Sequence, residues 1–218
     1  MTNVPAILVL TFNRPAETHS LLDTLIKLGV PRLYVSQDGP RNGQRSDLEA
    51  ATRLSAIYRD VSALTDFRLQ VSETNRGCGS GPVWGIDWFF QTEEYGLILE
   101  DDTVPSAPFV HGVDWWFREL APRKDIWSIG ALNIFADLSQ SSECALRLRS
   151  FPGSWGWGTW ADRWGRYRHQ ASSWLKRFPF RAKVFSKHFL CTPKGSEWMS
   201  RWAPGNISGT MVSLSGCF

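Results

Sequence analysis

The sequence predicts an α/β fold built on a mostly parallel sheet with helices on both faces. Three observations carry that prediction. Short apolar, β-branched runs alternate with longer stretches whose apolar residues recur at helical spacing. The first run, Ala6 to Phe12, is apolar almost throughout, as a central strand buried on both faces should be. A later run, Tyr95 to Leu99, ends abruptly in Glu100-Asp101-Asp102. It reads as a strand that delivers carboxylates to the carboxyl edge of the sheet, where open α/β sheets hold their ligands.

Each element follows from local signals. Asn13-Arg14-Pro15 stops the first run, and Pro15 suits the first turn of a helix whose stripe is Leu21, Leu22, Leu25 and Ile26, ending at Gly29. Leu33 to Gln37 is the second strand and closes on Asp38-Gly39-Pro40; a helix over Asp47 to Tyr58 follows a polar loop. Phe67 to Ser72 is the third strand. A loop at Asn75-Arg76-Gly77-Cys78-Gly79 precedes a helix marked by Val83, Trp84, Ile86, Trp88, Phe89 and Phe90, which returns the chain to the acidic strand. After Pro105 a helix carrying Trp115, Trp116 and Phe117 leads to a strand at Ile126 to Ala131. Phe151 to Trp160 reads as a loop, because its glycines weaken helix and strand alike. Its tryptophans either form a lobe core or offer flat faces to a sugar. Trp164 to Phe189 reads as helix in pieces broken at Pro179, and Thr210 to Leu214 as a further strand. No repeat, linker or low-complexity segment interrupts the chain.

A length of 218 residues supports one substantial domain with a real core. The formal charge of +3 and pI near 8.8 come from scattered lysines and arginines, which argues against a nucleic-acid stripe and leaves membrane-surface contact open. Cys78, Cys144, Cys191 and Cys217 show neither paired metal-ligand spacing nor the density of a disulfide scaffold, so a reducing compartment is the default. Met1 to Asn13 lacks the pattern of a signal peptide, and no apolar stretch reaches membrane-spanning length. The expected location is the cytoplasm, with peripheral contact at the inner membrane left open.

The acidic triplet is the centre of the chemistry. Buried, unpaired carboxylates are costly, so three together call for water or a cation. Hard divalent ions take one or two carboxylates and complete their shell with water and phosphate oxygens. A metal–diphosphate site is therefore the specific reading, and a solvated acidic turn the plain one.

Taken together, Arg14 after the first strand, Val35-Ser36-Gln37-Asp38 at the second, Glu100-Asp101-Asp102 at the fourth and Phe151-Pro152-Gly153 with its following Gly-Trp resemble N-acetylglucosaminyltransferase I. The run from Ser154 to Trp164 also resembles bacterial sugar transferases of surface-polysaccharide synthesis. The similarity spans nearly the whole chain, with its pieces in the same order. It implies a GT-A fold, the Rossmann-like fold of nucleotide-diphospho-sugar transferases. It also implies a nucleotide-sugar donor, UDP-sugar favoured, a glycan or lipid-linked acceptor, and Mn²⁺ or Mg²⁺ at the diphosphate. Residues 1–104 become the nucleotide-sugar-binding half and 105–218 the acceptor-side half.

Carried over by motif position, Arg14 and Asp38 contact the nucleotide base, Asp101 lies beside the nucleoside, and Asp102 is the metal ligand. Glu100 ranks below both aspartates, as it could equally pair with a local donor. Asp38 could also be an ordinary turn residue, and Arg14 a solvated helix start or a member of an ion pair. An inverting transferase needs a general base for the acceptor hydroxyl. Glu197, before Trp198-Met199, matches the position of that base, with Asp162 in reserve; a surface glutamate and a helix N-terminal acid are their plain alternatives. Trp155 and Trp157 are the candidate acceptor contacts. The relatives continue past a strand like Thr210 to Leu214 into a segment with Asn-Gly and Thr-His elements, whereas this sequence ends at Phe218. None of His19, His111, His169 or His188 takes that place. The expectation is an acceptor half without its closing segment, and an inactive nucleotide-sugar or glycan-binding protein is the alternative. A phosphohydrolase would place a nucleophilic Asp after the first strand, where Thr11-Phe12-Asn13 stands. A nucleotidyltransferase would show a Gly-rich basic loop near the N-terminus. The Gly-rich run Arg76 to Gly81 could approach phosphate at a helix N-terminus, but a flexible connection is the favoured reading.

Overall fold

A computed structural model describes residues 4–131, 145–149, 155–177 and 210–215. It is a mixed α/β structure in the order β1 (Ile7–Thr11), α1 (Pro15–Lys27), β2 (Arg32–Gln37), α2 (Arg45–Ser62), β3 (Asp66–Val71), α3 (Gly77–Phe89), β4 (Tyr95–Glu100), α4 (Ala107–Leu120), β5 (Ile126–Gly130), β6 (Ala145–Arg149), β7 (Trp157–Trp160), α5 (Ala161–Arg177) and β8 (Thr210–Ser215). One eight-stranded sheet runs through it in the order β3-β2-β1-β4-β7-β5-β8-β6. The pairs β1–β2, β2–β3, β1–β4 and β5–β8 are parallel, while β7 runs antiparallel to both neighbours and β6 antiparallel to β8.

Helices cover both faces. On one, Leu21, Leu22 and Leu25 of α1, Leu54 and Tyr58 of α2, and Val110, Val113 and Phe117 of α4 close over Ile7, Val9, Leu33, Val35, Leu97 and Leu99. On the other, Ile86 and Phe89 of α3 and Trp164 of α5 pack with Leu8, Tyr34 and Ile98. The alternating assignment of β1, β2 and β4 residues to the two faces is the period-two geometry of a strand buried on both sides. Because the chain steps outward from β1 through β2 to β3 and then returns to the far side of β1 as β4, the order reverses between β1 and β4. That reversal opens a crevice at the carboxyl ends of these two strands.

The structure corrects the loop expected at Phe151 to Trp160: Trp157–Trp160 is a strand, inserted in the middle of the sheet between β4 and β5. The glycine that should weaken it is what admits it. A Cβ at Gly158 would stand 2.5 Å from Phe117 Cζ and 2.7 Å from the Gly96 carbonyl oxygen, so only a residue without a side chain fits here. Gly158→Ala is expected to cost about 2–3 kcal/mol through overpacking and to lower Tm by roughly 5–10 °C in thermal denaturation. A Tm within about 2 °C of the parent would show that α4 shifts freely and that the fit is loose.

The loop expected at Gly77 to Gly79 is likewise the first turn of α3. Among the described residues no helix is long and apolar enough to cross a membrane.

Candidate functional site

The crevice between β1 and β4 is lined by the segments that leave these strands. β1 exits through Phe12-Asn13-Arg14, and Pro15 then fixes the start of α1, so that Arg14 is held at the helix boundary with its carbonyl accepting from the Thr18 amide at 3.0 Å. β4 exits through Glu100-Asp101-Asp102, where a tight turn closes with the Thr103 amide on the Glu100 carbonyl at 2.9 Å. Across the gap, Arg14 Nη1 donates to Asp102 Oδ2 at 2.6 Å and reaches Asp101 Oδ1 at 3.1 Å. Arg14, Asp101, Asp102 and Glu100 therefore form one group at the switch point, although 86 or more positions separate Arg14 from the acids along the chain.

Charge in this group is unbalanced, with three carboxylates against one guanidinium. Asp101 is buried, and that desolvation pushes its carboxyl up to about 6 in spite of Arg14, with Asp102 adding to the rise. Glu100, crowded by protein although its tip is exposed, is raised first by lost solvation and then by Asp102 and Asp101. A carboxyl raised in the fold makes stability fall as pH increases: below pH 4 both states hold the proton, and between about 4 and 6 the unfolded chain releases it first. Above 6 the full penalty, about 3 kcal/mol, is in place. In metal-free protein, Asp101→Asn is therefore expected to gain stability over the parent at pH 7.5 but not at pH 4, read from urea midpoints in EDTA. An equal difference at both pH values would remove Asp101 as the source.

This frustration also tests the fit of a divalent cation. Among the described residues no three His, Cys, Asp or Glu side chains converge as a ready-made metal cage. The donor set suits a hard ion held through Asp102, which is half exposed, with water and phosphate oxygens completing the shell.

Asp38, at the end of β2, does something that its sequence position conceals. Its Oδ1 accepts from the amides of Gly39 (2.9 Å) and Arg76 (2.8 Å), and its Oδ2 from the Gly77 amide (3.0 Å) and Asn75 Nδ2 (3.0 Å). It thereby supplies the anion at the N-terminus of α3 from another strand. The Gly-rich run at Arg76 to Gly81 is thus not the flexible connection expected but a helix start, and its Arg76 and Gly77 amides already face a carboxylate. Arg76 stacks on Trp84 at 4.1 Å and bonds Ser72 Oγ, finishing this corner.

The sheet register bears on two expectations. Tyr95 pairs with Trp160 and Ile98 with Trp157, so β7 carries the chain away from the acidic end of β4 and Asp162 emerges at the opposite edge. Five strand positions, roughly 16 Å at ~3.3 Å each, lie between the level of Trp160 and that of Glu100. There Asp162 bonds Lys124 Nζ at 2.8 Å and Arg163 Nη1 at 2.9 Å. Burial opposes its ionisation, yet these two cations hold its pKa below the ordinary carboxylate value. It is not placed to serve the crevice as a base. Trp157 is built into the sheet, partly buried, with its ring 6.5 Å from that of Trp164. Trp155 differs, being 57% exposed just before Gly156, whose φ of 64° and close approach to Thr103 and Leu99 put it beside the acidic turn. Glu197 lies outside the described residues.

Sequence reasoning passed over Asp47 and Arg163. Asp47 is treated below; Arg163, next to Asp162, is almost completely buried and donates to the carbonyls of Leu120, Ala121, Arg123 and Ile126.

Fold and site thus define an α/β protein with an acidic, arginine-bridged crevice at the switch point of its sheet. No protein-family model matches the sequence, and no curated protein matches it either. Among solved structures it is similar to the mannosyltransferase PcManGT from Pyrobaculum calidifontis in complex with GDP-Man and Mn²⁺, with 16% identity and a TM-score of 0.45 over 72% of this chain. The matched region spans 45% of that chain.

Proposed function

We propose that this chain is a GT-A glycosyltransferase that moves a hexosyl or N-acetylhexosaminyl group from a nucleotide-diphosphate sugar to a glycan or lipid-linked acceptor. The observation that carries this reading is the meeting of Arg14 with Asp101 and Asp102 across the β1/β4 crevice. A nucleoside diphosphate brings the phosphate oxygens that such a site lacks, and the strand ends at Arg14 and Asp38 bound the side on which its base would lie. A UDP-sugar donor and a role in bacterial surface-polysaccharide synthesis, at the cytoplasmic side of the inner membrane, complete the proposal. They rest on the motif resemblance.

In this reading Asp102 holds Mn²⁺ or Mg²⁺, and the ion supplies neutralisation of the charge that grows on the departing diphosphate. Arg14 keeps both aspartates oriented and contributes positive charge beside the diphosphate. Asp101, held dry beneath them, orients the nucleoside. Trp155 offers an aromatic face to the acceptor beside the acidic turn. Glu197 is proposed as the base that takes the acceptor proton in an inverting transfer.

The test is calorimetric titration of UDP and GDP, each with and without Mn²⁺, followed by an assay of sugar release from the nucleotide sugar that binds. Metal-dependent binding with turnover is expected. Binding without turnover would favour the inactive nucleotide-sugar-binding form, and no binding of UDP, GDP, dTDP or CMP would overturn the donor site.

A further inference from the structure

We infer that Asp47 is a positioning residue for the nucleotide site, fixing the β1 exit that carries Arg14; this rests on the function proposed above. Asp47 sits in the first turn of α2, outside the crevice, and its side chain is fully buried. Its Oδ1 accepts from Asn13 Nδ2 at 2.8 Å and from Arg41 Nη2 at 2.9 Å. Its Oδ2 accepts from Arg41 Nε at 2.7 Å and the Arg41 amide at 3.1 Å. The two oxygens are thus filled by four donors from two separate segments, the β1 exit and the loop after β2.

Arg41 in turn lies over the Phe12 ring at 5.4 Å. Residues 12–14 are consequently fastened from two directions. On the inner side the Arg14 guanidinium holds Asp101 and Asp102. On the outer side Asn13 and Phe12 are held by Asp47 and by the Arg41 that Asp47 grips. A single buried carboxylate therefore sets where the three-residue exit stands relative to the acidic turn. Bidentate, charge-assisted contacts of this kind fix geometry as well as stability. None of the four donors is an amide of α2, so the carboxylate does not serve to cap its own helix, and one donor is the neighbour of Arg14.

The experiment measures the Kd of UDP with Mn²⁺ for the parent, Asp47→Asn, Asn13→Ala and the double variant, at a temperature where circular dichroism shows each to be folded. Asp47→Asn places an amide where donors converge, and Asn13→Ala cuts only the link toward Arg14. Each is expected to weaken binding by roughly 10-fold, with little further loss in the double variant because both act through one contact. A purely structural role for Asp47 would lower Tm and leave Kd of the folded protein unchanged, which would overturn the inference. So would additive losses, which would mean that Asn13 and Asp47 act separately. Should Asp47→Asn fail to fold, an unchanged Kd in Asn13→Ala is enough to reject it. If the parent binds none of UDP, GDP, dTDP and CMP, the proposed function falls and this inference falls with it.

Discussion

Asp102→Ala is expected to abolish the Mn²⁺-dependent part of UDP binding, a loss of at least ~100-fold or about 2.7 kcal/mol. Asp162→Ala is expected to leave it within about twofold, since the two aspartates lie at opposite ends of the sheet. The contrast is informative because both are aspartates bonded to cations, Asp102 to Arg14 and Asp162 to Lys124 and Arg163. A second signature separates loss of a ligand from general damage. Removing one of three crowded carboxylates relieves repulsion toward an anionic ligand, so binding in EDTA should be unchanged or somewhat stronger in Asp102→Ala. Equal losses in the two variants, or parallel losses with and without metal, would dislodge the crevice as the nucleotide site.

The largest effect on stability is expected at Arg163. Its guanidinium lies in the interior, 3.9 Å from the Trp160 ring, and donates to the Leu120 and Ala121 carbonyls at the end of α4, to Arg123 in the turn that follows and to Ile126. The last carbonyls of a helix have no partners within it. Here one side chain gathers them and ties α4 to β5. Arg163→Met keeps the stem and removes every donor: the Leu120 and Arg123 carbonyls retain the Arg123 and Ile126 amides, while the Ala121 carbonyl loses its guanidinium partner. Relief from burying a charge offsets part of that loss, so the net cost is about 3–5 kcal/mol, or a Tm fall of roughly 10 °C. Lysine, with a single ammonium in place of a planar fork, should recover only part of it. A fall of less than about 1 kcal/mol in urea denaturation would show that water replaces the guanidinium at these carbonyls.

How far such features are visible in the sequence depends on whether their cause is local. Ile7–Thr11, Arg32–Gln37, Tyr95–Glu100 and Ile126–Gly130 were legible as strands because burial on both faces writes an apolar run into the chain. The grouping of Arg14 with Asp101 and Asp102 was legible in part, since each stands directly after such a strand. The start of α3 was not: Gly77 to Gly81 has poor helix propensity, and the anion that secures it, Asp38, comes from 38 or more residues earlier. Nor was β7, because the close approach at Gly158 depends on Phe117 and Gly96, which no local pattern links to it. Asp162 misled for a related reason: nearness to the Trp-rich run suggested the crevice, and the four strand residues between them lead to the other edge.

The position of β7 also bears on the order in which the molecule can assemble during synthesis. The first hundred residues contain four mutually paired parallel strands, β3-β2-β1-β4, and could associate as soon as they leave the ribosome. At that stage β4 has a partner on one side only. Its other side waits for Trp157–Trp160, emerging some sixty residues later, even though β5 is made first. During that interval a row of unpaired amides and carbonyls along Tyr95–Glu100, flanked by Leu97, Ile98 and Leu99, is an adhesive edge directly beneath the acidic turn. The carboxylates of Glu100, Asp101 and Asp102 would then act as gatekeepers, their mutual repulsion discouraging one nascent chain from zipping onto another.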